Sequence, residues 1–184
     1  MKILLLGGGG REHAFAWKMT REPSCERLFI APGNAGTEQI AINASLDPLD
    51  FGSIANFVER EGIGMIVVGP EAPLVAGIVD YFKEEMPDLL VVGPDKLAAQ
   101  LEGSKSFGKR FMAKQNIPTA AYREFTPETV EEGVAYLGTL KAPFVLKADG
   151  LAGGKGVLIL ENLTEARTEL RSMLSGNSAR RARR

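Results

Sequence analysis

The stretch LLLGGGGREHAFAW, Leu4 to Trp17, sets four consecutive glycines between an apolar run and a segment of helical period. Where a strand ends in glycines that lead into a helix, backbone N–H groups and the positive end of the helix dipole meet at one point. The missing side chains let a ligand come close to the backbone. Such a turn suits an anion, typically a phosphate, and Arg11 directly after the glycines adds a cation. The competing reading is a tight strand-to-helix turn with no ligand. A dinucleotide fingerprint is a weaker rival: Gly7 and Gly9 supply the first two positions of GxGxxG, but the third falls on Glu12. His13, the single histidine, stands in the first helical turn; a structural or loop-orienting role is expected of it, with general base as the alternative.

Two later loops have the composition to complete such a site. APGNAGT, Ala31 to Thr37, and VGPEAPL, Val68 to Leu74, each follow a short apolar run. Loops at the carboxyl ends of parallel strands line the usual ligand crevice of an open sheet. Asn34, Thr37 and Glu71 offer hydrogen bonds to a sugar, while Gly33 and Gly36 permit close approach; singly, each loop is also plain turn chemistry. The three together point to a ribose-phosphate-like ligand.

A second phosphate signal is VLKADGLAGGKGVLI, Val145 to Ile159, a glycine-rich loop between two expected antiparallel strands. Lys147 on the entering strand and Lys155 in the loop can fold over a triphosphate and neutralise it, as a lid. Gly103, Gly108 and Lys109 match the P-loop spacing, but Arg110 stands where a magnesium-binding hydroxyl is required and no apolar strand precedes them. That segment reads as a helix whose Phe107 and Phe111 pack inward. Cys25, the only cysteine, has no company suited to thiol chemistry.

The elements that must hold these residues follow from periodicity. Ile3 to Leu6, Leu28 to Ile30, Met65 to Val68 and Leu89 to Val92 read as strands. Arg11 to Thr20, Phe51 to Glu61, Leu74 to Met86 and Leu97 onward read as helices. The strands at Ile3, Met65 and Leu89 lack polar alternation, as strands covered on both faces do, so the fold expected is α/β with a doubly wound parallel sheet. Ile54, Phe57 and Val58 share a helical face that Gly62 ends as a left-handed cap. Beyond residue 102 come a helix ending before Ile117-Pro118, a strand at Ala121 to Phe125 and a helix opened by Thr126-Pro127-Glu128. Strands at Phe144 to Lys147 and Val157 to Leu160 and a helix at Asn162 to Leu174 complete a partial α+β subdomain. The divisions expected are 1–102, a substrate-binding α/β domain; 103–175, a linker helix and first nucleotide-binding subdomain; and 176–184, a disordered basic tail.

Composition excludes other classes. With 184 residues, 45% hydrophobic, and a net charge of −1, the chain is globular and lacks the charge excess of a nucleic-acid binder. No apolar run reaches the roughly 18 residues that span a bilayer. A cytoplasmic protein without a membrane or nucleic-acid partner is expected.

GGGGREHA, PGNAGT, VGPEAPL, LEGSKSFGKRFM and FVLKADGLAGGKGV, in this order, resemble the N-terminal part of the phosphoribosylamine–glycine ligase (glycinamide ribonucleotide synthetase) family of the ATP-grasp superfamily, from Met1 to about Ser175. The resemblance implies ligation of glycine to 5-phosphoribosylamine with ATP in purine biosynthesis, through an acyl phosphate, giving glycinamide ribonucleotide, ADP and phosphate. It implies a Rossmann-like pre-ATP-grasp domain that binds phosphoribosylamine through Gly8, Gly9, Gly10, Arg11, Glu12, Asn34, Gly36, Thr37, Pro70 and Glu71. Lys105 and Lys147 would touch ATP phosphates, and Gly150, Leu151, Gly153, Gly154, Lys155 and Gly156 would form the mobile loop over them. No protein nucleophile is implied, and the magnesium ligands are expected in a C-terminal lobe outside this chain. Family members are roughly twice this long, and SGNSARRARR departs from the family pattern; a truncated or frame-shifted chain, inactive alone, is the expectation. The alternative is a non-catalytic module for a ribose phosphate or nucleotide.

Overall fold

The computed structural model of the chain describes residues 1–151 and 156–176, and the polypeptide divides into two compact units, Met1–Gly103 and Ser104–Arg184. The first is built from β1 (Lys2–Gly7), α1 (Gly10–Met19), β2 (Arg27–Pro32), β3 (Ile42–Asn43), α2 (Phe51–Glu61), β4 (Met65–Val68), α3 (Glu71–Ala76), α4 (Ile78–Glu85), β5 (Leu90–Val92) and α5 (Lys96–Gly103). All five strands run parallel in the order β3-β2-β1-β4-β5. Strand order reverses at β1, where β2 lies on one side and β4 on the other. That reversal is the position at which doubly wound sheets open a crevice.

The unbroken apolar strands are covered on both faces, as expected. Leu4, Leu6, Ile66 and Val68 pack against Ile54, Phe57 and Val58 of α2 and Phe82 of α4. Leu5, Leu28, Ile30 and Val67 face the other way, onto Ala16 of α1. Each such side chain, fully buried, contributes roughly 1.5–3 kcal/mol. β5 departs from the expectation: Leu90 and Val92 are half exposed, because this strand pairs with β4 alone and forms the sheet edge. α2 matches its expected limits, with Asp50 accepting from the Ser53 N–H at 3.0 Å at its start and Gly62 left-handed (φ 66°) at its end. The single helix read over Leu74 to Met86 is instead two, because Gly77 adopts φ 99° and its N–H closes α3 onto Pro73 and Leu74. Among the described residues no helix is long and apolar enough to cross a membrane.

The second unit contains α6 (Lys105–Lys114), a 3-10 turn at Pro127–Thr129, α7 (Val130–Leu137), β6 (Phe144–Lys147), β7 (Val157–Leu160) and α8 (Leu163–Leu174). β6 and β7 form an antiparallel hairpin with Val145 opposite Ile159 and Lys147 opposite Val157. Strand alternation sends Phe144 and Leu146 inward to Leu137, Ala166 and Leu170, and leaves Val145, Val157 and Ile159 on a bare face. Asn162 caps α8 by accepting from the N–H groups of Thr164 and Glu165.

Two expectations fail here. Ala121–Phe125 is not a strand: among the described residues this unit's sheet holds only β6 and β7, and the stretch is tied instead through Arg110–Glu124 and Arg123–Glu132 ion pairs and a Phe125–Tyr136 ring contact. Phe111 does not pack inward but stays exposed on α6, while Phe107 is partly buried. The P-loop spacing falls across α5 and α6, with Gly108 buried inside a helix.

Candidate functional site

In the first unit the parallel strands bring three loop entries to one sheet end: Gly7 at the end of β1, Gly33 after β2 and Gly69 after β4. Backbone bonds lace them together, since the Gly33 N–H donates to the Gly7 carbonyl at 3.1 Å and the Gly69 N–H to the Leu6 carbonyl at 3.0 Å. Gly8 approaches the second loop so closely that a Cβ on it would lie 2.6 Å from the Gly33 carbonyl oxygen, so only glycine fits.

Glu12 lies beneath this turn. It is only 4% exposed, its Oε2 accepts from the Gly9 N–H at 2.8 Å, and its Oε1 accepts from Arg11 Nε at 2.9 Å. Its side chain fills the space where Cβ atoms on Gly7 or Gly69 would stand, 2.5 Å from Glu12 Cγ in the first case and from Glu12 Oε1 in the second. Burial pushes the Glu12 pKa up, but the hydrogen bonds from Arg11 and from the Gly9 amide outweigh it and hold the carboxyl below its ordinary value. The Arg11 guanidinium also donates to the Gly69 carbonyl, tying the β1 turn to the β4 loop. The bond to Glu12 is the main reason its own pKa is raised, with the fields of Glu71 and Glu102 acting in the same direction.

The PGNAGT loop is held by its own side chains. Asn34 Oδ1 accepts from the N–H groups of Gly36 at 2.7 Å and Thr37 at 3.0 Å, and Asn34 Nδ2 donates to the Gly8 carbonyl at 2.9 Å. Thr37 is fully buried and its hydroxyl accepts from the Asn34 N–H at 2.8 Å. The His13 ring packs against Gly36, where a Cβ would stand 2.8 Å from Cε1.

The ten expected ligand contacts of this unit therefore separate by position. Gly9, Gly10 and Arg11 are exposed at the start of α1; the Gly9 N–H is taken by Glu12, while the N–H groups of the first helical turn lack backbone acceptors within the helix, and no atom lies within 4 Å of where a Gly10 Cβ would be. Gly8, Gly36, Pro70 and Glu71 border the same sheet end and are partly buried. The hydrogen-bonding groups of Glu12, Asn34 and Thr37 are engaged inside the protein. Sequence reasoning missed Asn43 and Gly69. Asn43 lies in a strand too short to leave a periodic signal, although Gly69, between a strand and Pro70-Glu71, carried the same strand-to-helix signature as Gly8.

In the second unit Asp149, just past β6, receives the start of α6. Its carboxylate accepts from the Ser106 hydroxyl (2.8 Å), the Ser106 N–H (3.2 Å) and the Ser104 hydroxyl (3.1 Å). Partial desolvation works against ionisation there, yet the Ser106, Gly150 and Ser104 hydrogen bonds lower the Asp149 pKa to about 2. Lys105 Nζ donates to the Gly150 carbonyl at 2.8 Å, and Lys147 is exposed at the end of β6. This brings Lys105 to the entry of the glycine-rich loop. Gly150, Leu151 and Gly156 are described, whereas Gly153, Gly154 and Lys155 lie outside the described residues, as does the basic tail beyond Gly176.

A doubly wound sheet with three interlocked strand-tip loops, followed by a small hairpin-and-helix unit with lysines at a glycine-rich loop, defines a pre-ATP-grasp domain and the beginning of an ATP-grasp domain. Comparison with protein families matches residues 1–102 to phosphoribosylglycinamide synthetase, N domain, and residues 103–183 to phosphoribosylglycinamide synthetase, ATP-grasp (A) domain. The chain belongs to the phosphoribosylglycinamide synthetase family. The second match runs past Ser175 into the arginine-rich end, further than the motifs alone carried the resemblance. Among curated proteins, the chain is 51% identical over 180 residues to a phosphoribosylamine–glycine ligase of Pseudomonas aeruginosa and 50% identical to that of Pasteurella multocida, in each case covering 97% of this chain and 41% of the relative. A solved phosphoribosylamine–glycine ligase from Thermotoga maritima superimposes with a TM-score of 0.72 at 33% identity, covering 97% of this chain and 40% of that one. The chain thus spans about two fifths of the length of the relatives it matches.

Proposed function

We propose that this chain is the sugar-phosphate-binding portion and the opening of the nucleotide lobe of an enzyme that joins glycine to 5-phosphoribosylamine at the expense of ATP. The observation that carries the reading is the convergence of the Gly8–Arg11 turn, the PGNAGT loop and the Gly69–Glu71 loop at one sheet end. The exposed amides of Gly10 and Arg11 and the Arg11 guanidinium suit a phosphate. Glu71 and the Gly36 loop border the place where a ribose would extend. Glu12, Asn34 and Thr37 hold those loops in place from behind.

Lys105 and Lys147 fit the anionic end of a nucleotide and would neutralise its phosphates. The chain would contribute position and charge, the attacking group being the amine of the sugar substrate. No magnesium position is assigned within these residues. A polypeptide of these 184 residues, lacking what the remaining length of the relatives supplies, is expected to bind without turnover, which is the reading of a non-catalytic sugar-phosphate module.

Calorimetry with ribose 5-phosphate and with ATP, beside an assay of glycine-dependent ADP release with fresh phosphoribosylamine, tests both. Binding of the sugar phosphate, weaker binding of ATP and no ADP above background are expected. An absence of sugar-phosphate binding refutes the site, and a clear glycine-dependent rate refutes the inactivity of the chain alone.

A further inference from the structure

We infer that Asn43, on the two-residue strand β3, is a positioning residue for the sugar-phosphate turn, acting on it from outside through a relay of partly buried amides; this rests on the reading of that turn given above. The sheet is extended by Ile42 and Asn43 alone, paired with Phe29 and Ile30, and Asn43 is the residue at its carboxyl tip. There its side chain makes two bonds of opposite sense. Oδ1 accepts from the Thr37 hydroxyl at 2.8 Å, and Nδ2 donates to the Asn34 carbonyl at 2.9 Å.

Asn34 in turn holds the Gly8 carbonyl at 2.9 Å through Nδ2, so the relay runs from Asn43 through Asn34 to the peptide that precedes Gly9. The fit is close, because a Cβ on Gly33 would stand 2.2 Å from Asn43 Oδ1. An amide suits position 43: an ionised carboxylate could not donate to the Asn34 carbonyl, and an aliphatic side chain would take from that carbonyl one of its donors, leaving it the Glu38 N–H (3.1 Å) and the Thr37 hydroxyl (2.9 Å), and would take from the Thr37 hydroxyl its acceptor on β3. Since the first-turn amides of α1 bind an anion only when aimed at it, a loop freed at Asn34 lowers affinity without touching the ligand.

The test compares the parent chain with Asn43→Ala and with Asn162→Ala, the latter removing the α8 cap in the other unit as a control for stability loss alone. Ribose 5-phosphate affinity is measured by calorimetry at a temperature where all three are folded, and hydrogen exchange is followed by mass spectrometry without ligand. Asn43→Ala is expected to weaken binding about tenfold, the equivalent of roughly 1.4 kcal/mol for the two hydrogen bonds lost, and to speed exchange in peptides covering Gly7–Arg11 and Gly33–Thr37. Asn162→Ala is expected to leave affinity and those peptides unchanged. Equal affinity for Asn43→Ala and parent, or exchange in those peptides unaltered, overturns the inference. If the parent itself does not bind, the proposed function fails and the ligand part of this inference with it, while the exchange data still decide whether Asn43 holds the turn.

Discussion

Glu12 offers the most demanding test of how the glycine turn is built. Glu12→Gln keeps the shape of the side chain but replaces one acceptor oxygen with a donor that faces either the Gly9 N–H or Arg11 Nε, both donors themselves. A lost bond to a charged group costs roughly 1.5–3 kcal/mol. Because the Arg11 side chain is 56% exposed, its share is screened to about 0–1 kcal/mol. The variant should therefore lose about 1–2 kcal/mol, most of it on the Gly9 side. Glu12→Ala, which also empties the space between Gly7 and Gly69, should lose about 2–4 kcal/mol. Arg11→Ala should lose less than about 1 kcal/mol.

Urea unfolding followed by fluorescence of Trp17, the one tryptophan, reports the first unit directly because that residue lies on α1. The pH dependence carries a sign. The folded pKa of Glu12 lies below its unfolded value, so its contribution is present above the unfolded value and fades as pH falls through the folded one. Parent and Glu12→Gln should thus converge in stability as pH drops below the ordinary carboxylate range of about 4. A Gln variant within about 0.5 kcal/mol of the parent at neutral pH, with a difference that does not change on acidification, would refute the account of Glu12 as the strut of this turn.

Three further outcomes follow from the same geometry. Gly8→Ala should destabilise the first unit by about 1–3 kcal/mol and abolish ribose 5-phosphate binding, because its Cβ would meet the Gly33 backbone, whereas Gly10→Ala, in open space within α1, should be neutral or stabilising by up to about 1 kcal/mol; paired denaturation and calorimetry distinguish them. Asp149, with a pKa of about 2, contributes stability present above the unfolded carboxylate value and lost toward pH 2. Its exposure screens that contribution to about 1 kcal/mol, so Asp149→Ala should flatten acid unfolding of the second unit as seen by circular dichroism. Gly62→Ala, forced to φ 66°, should lower stability by about 1 kcal/mol in a urea titration, with no change in ligand affinity.

Much of this arrangement was legible in the residues. β4, α2 and the β6–β7 hairpin have the limits their periodicity gave, because strand alternation and the Gly62 cap are local signals. The glycine turns announced themselves for the same reason: a missing side chain is visible in sequence. What stayed hidden depended on distant partners. Whether Ala121–Phe125 becomes a strand is decided by a neighbour to bond with, and whether Leu90 and Val92 are covered by what lies beyond the sheet edge. Asn34 and Thr37 looked like groups aimed at a sugar, since composition cannot tell a hydrogen bond to a ligand from one to Gly8 or to each other. Glu12 looked like a failed third glycine of a fingerprint, while in three dimensions it occupies the room that such a glycine would vacate.

The hairpin of the second unit, buried on one side only, has a practical corollary for anyone handling the protein. A two-layer body resting on Leu137, Phe144, Leu146, Ala166 and Leu170 has a thinner reserve against heat than a sheet sandwiched by helices on both faces. On gradual warming it should melt first, in a separate calorimetric step, and a protease added at that temperature should digest it back toward Gly103 while the β1–β5 body survives intact.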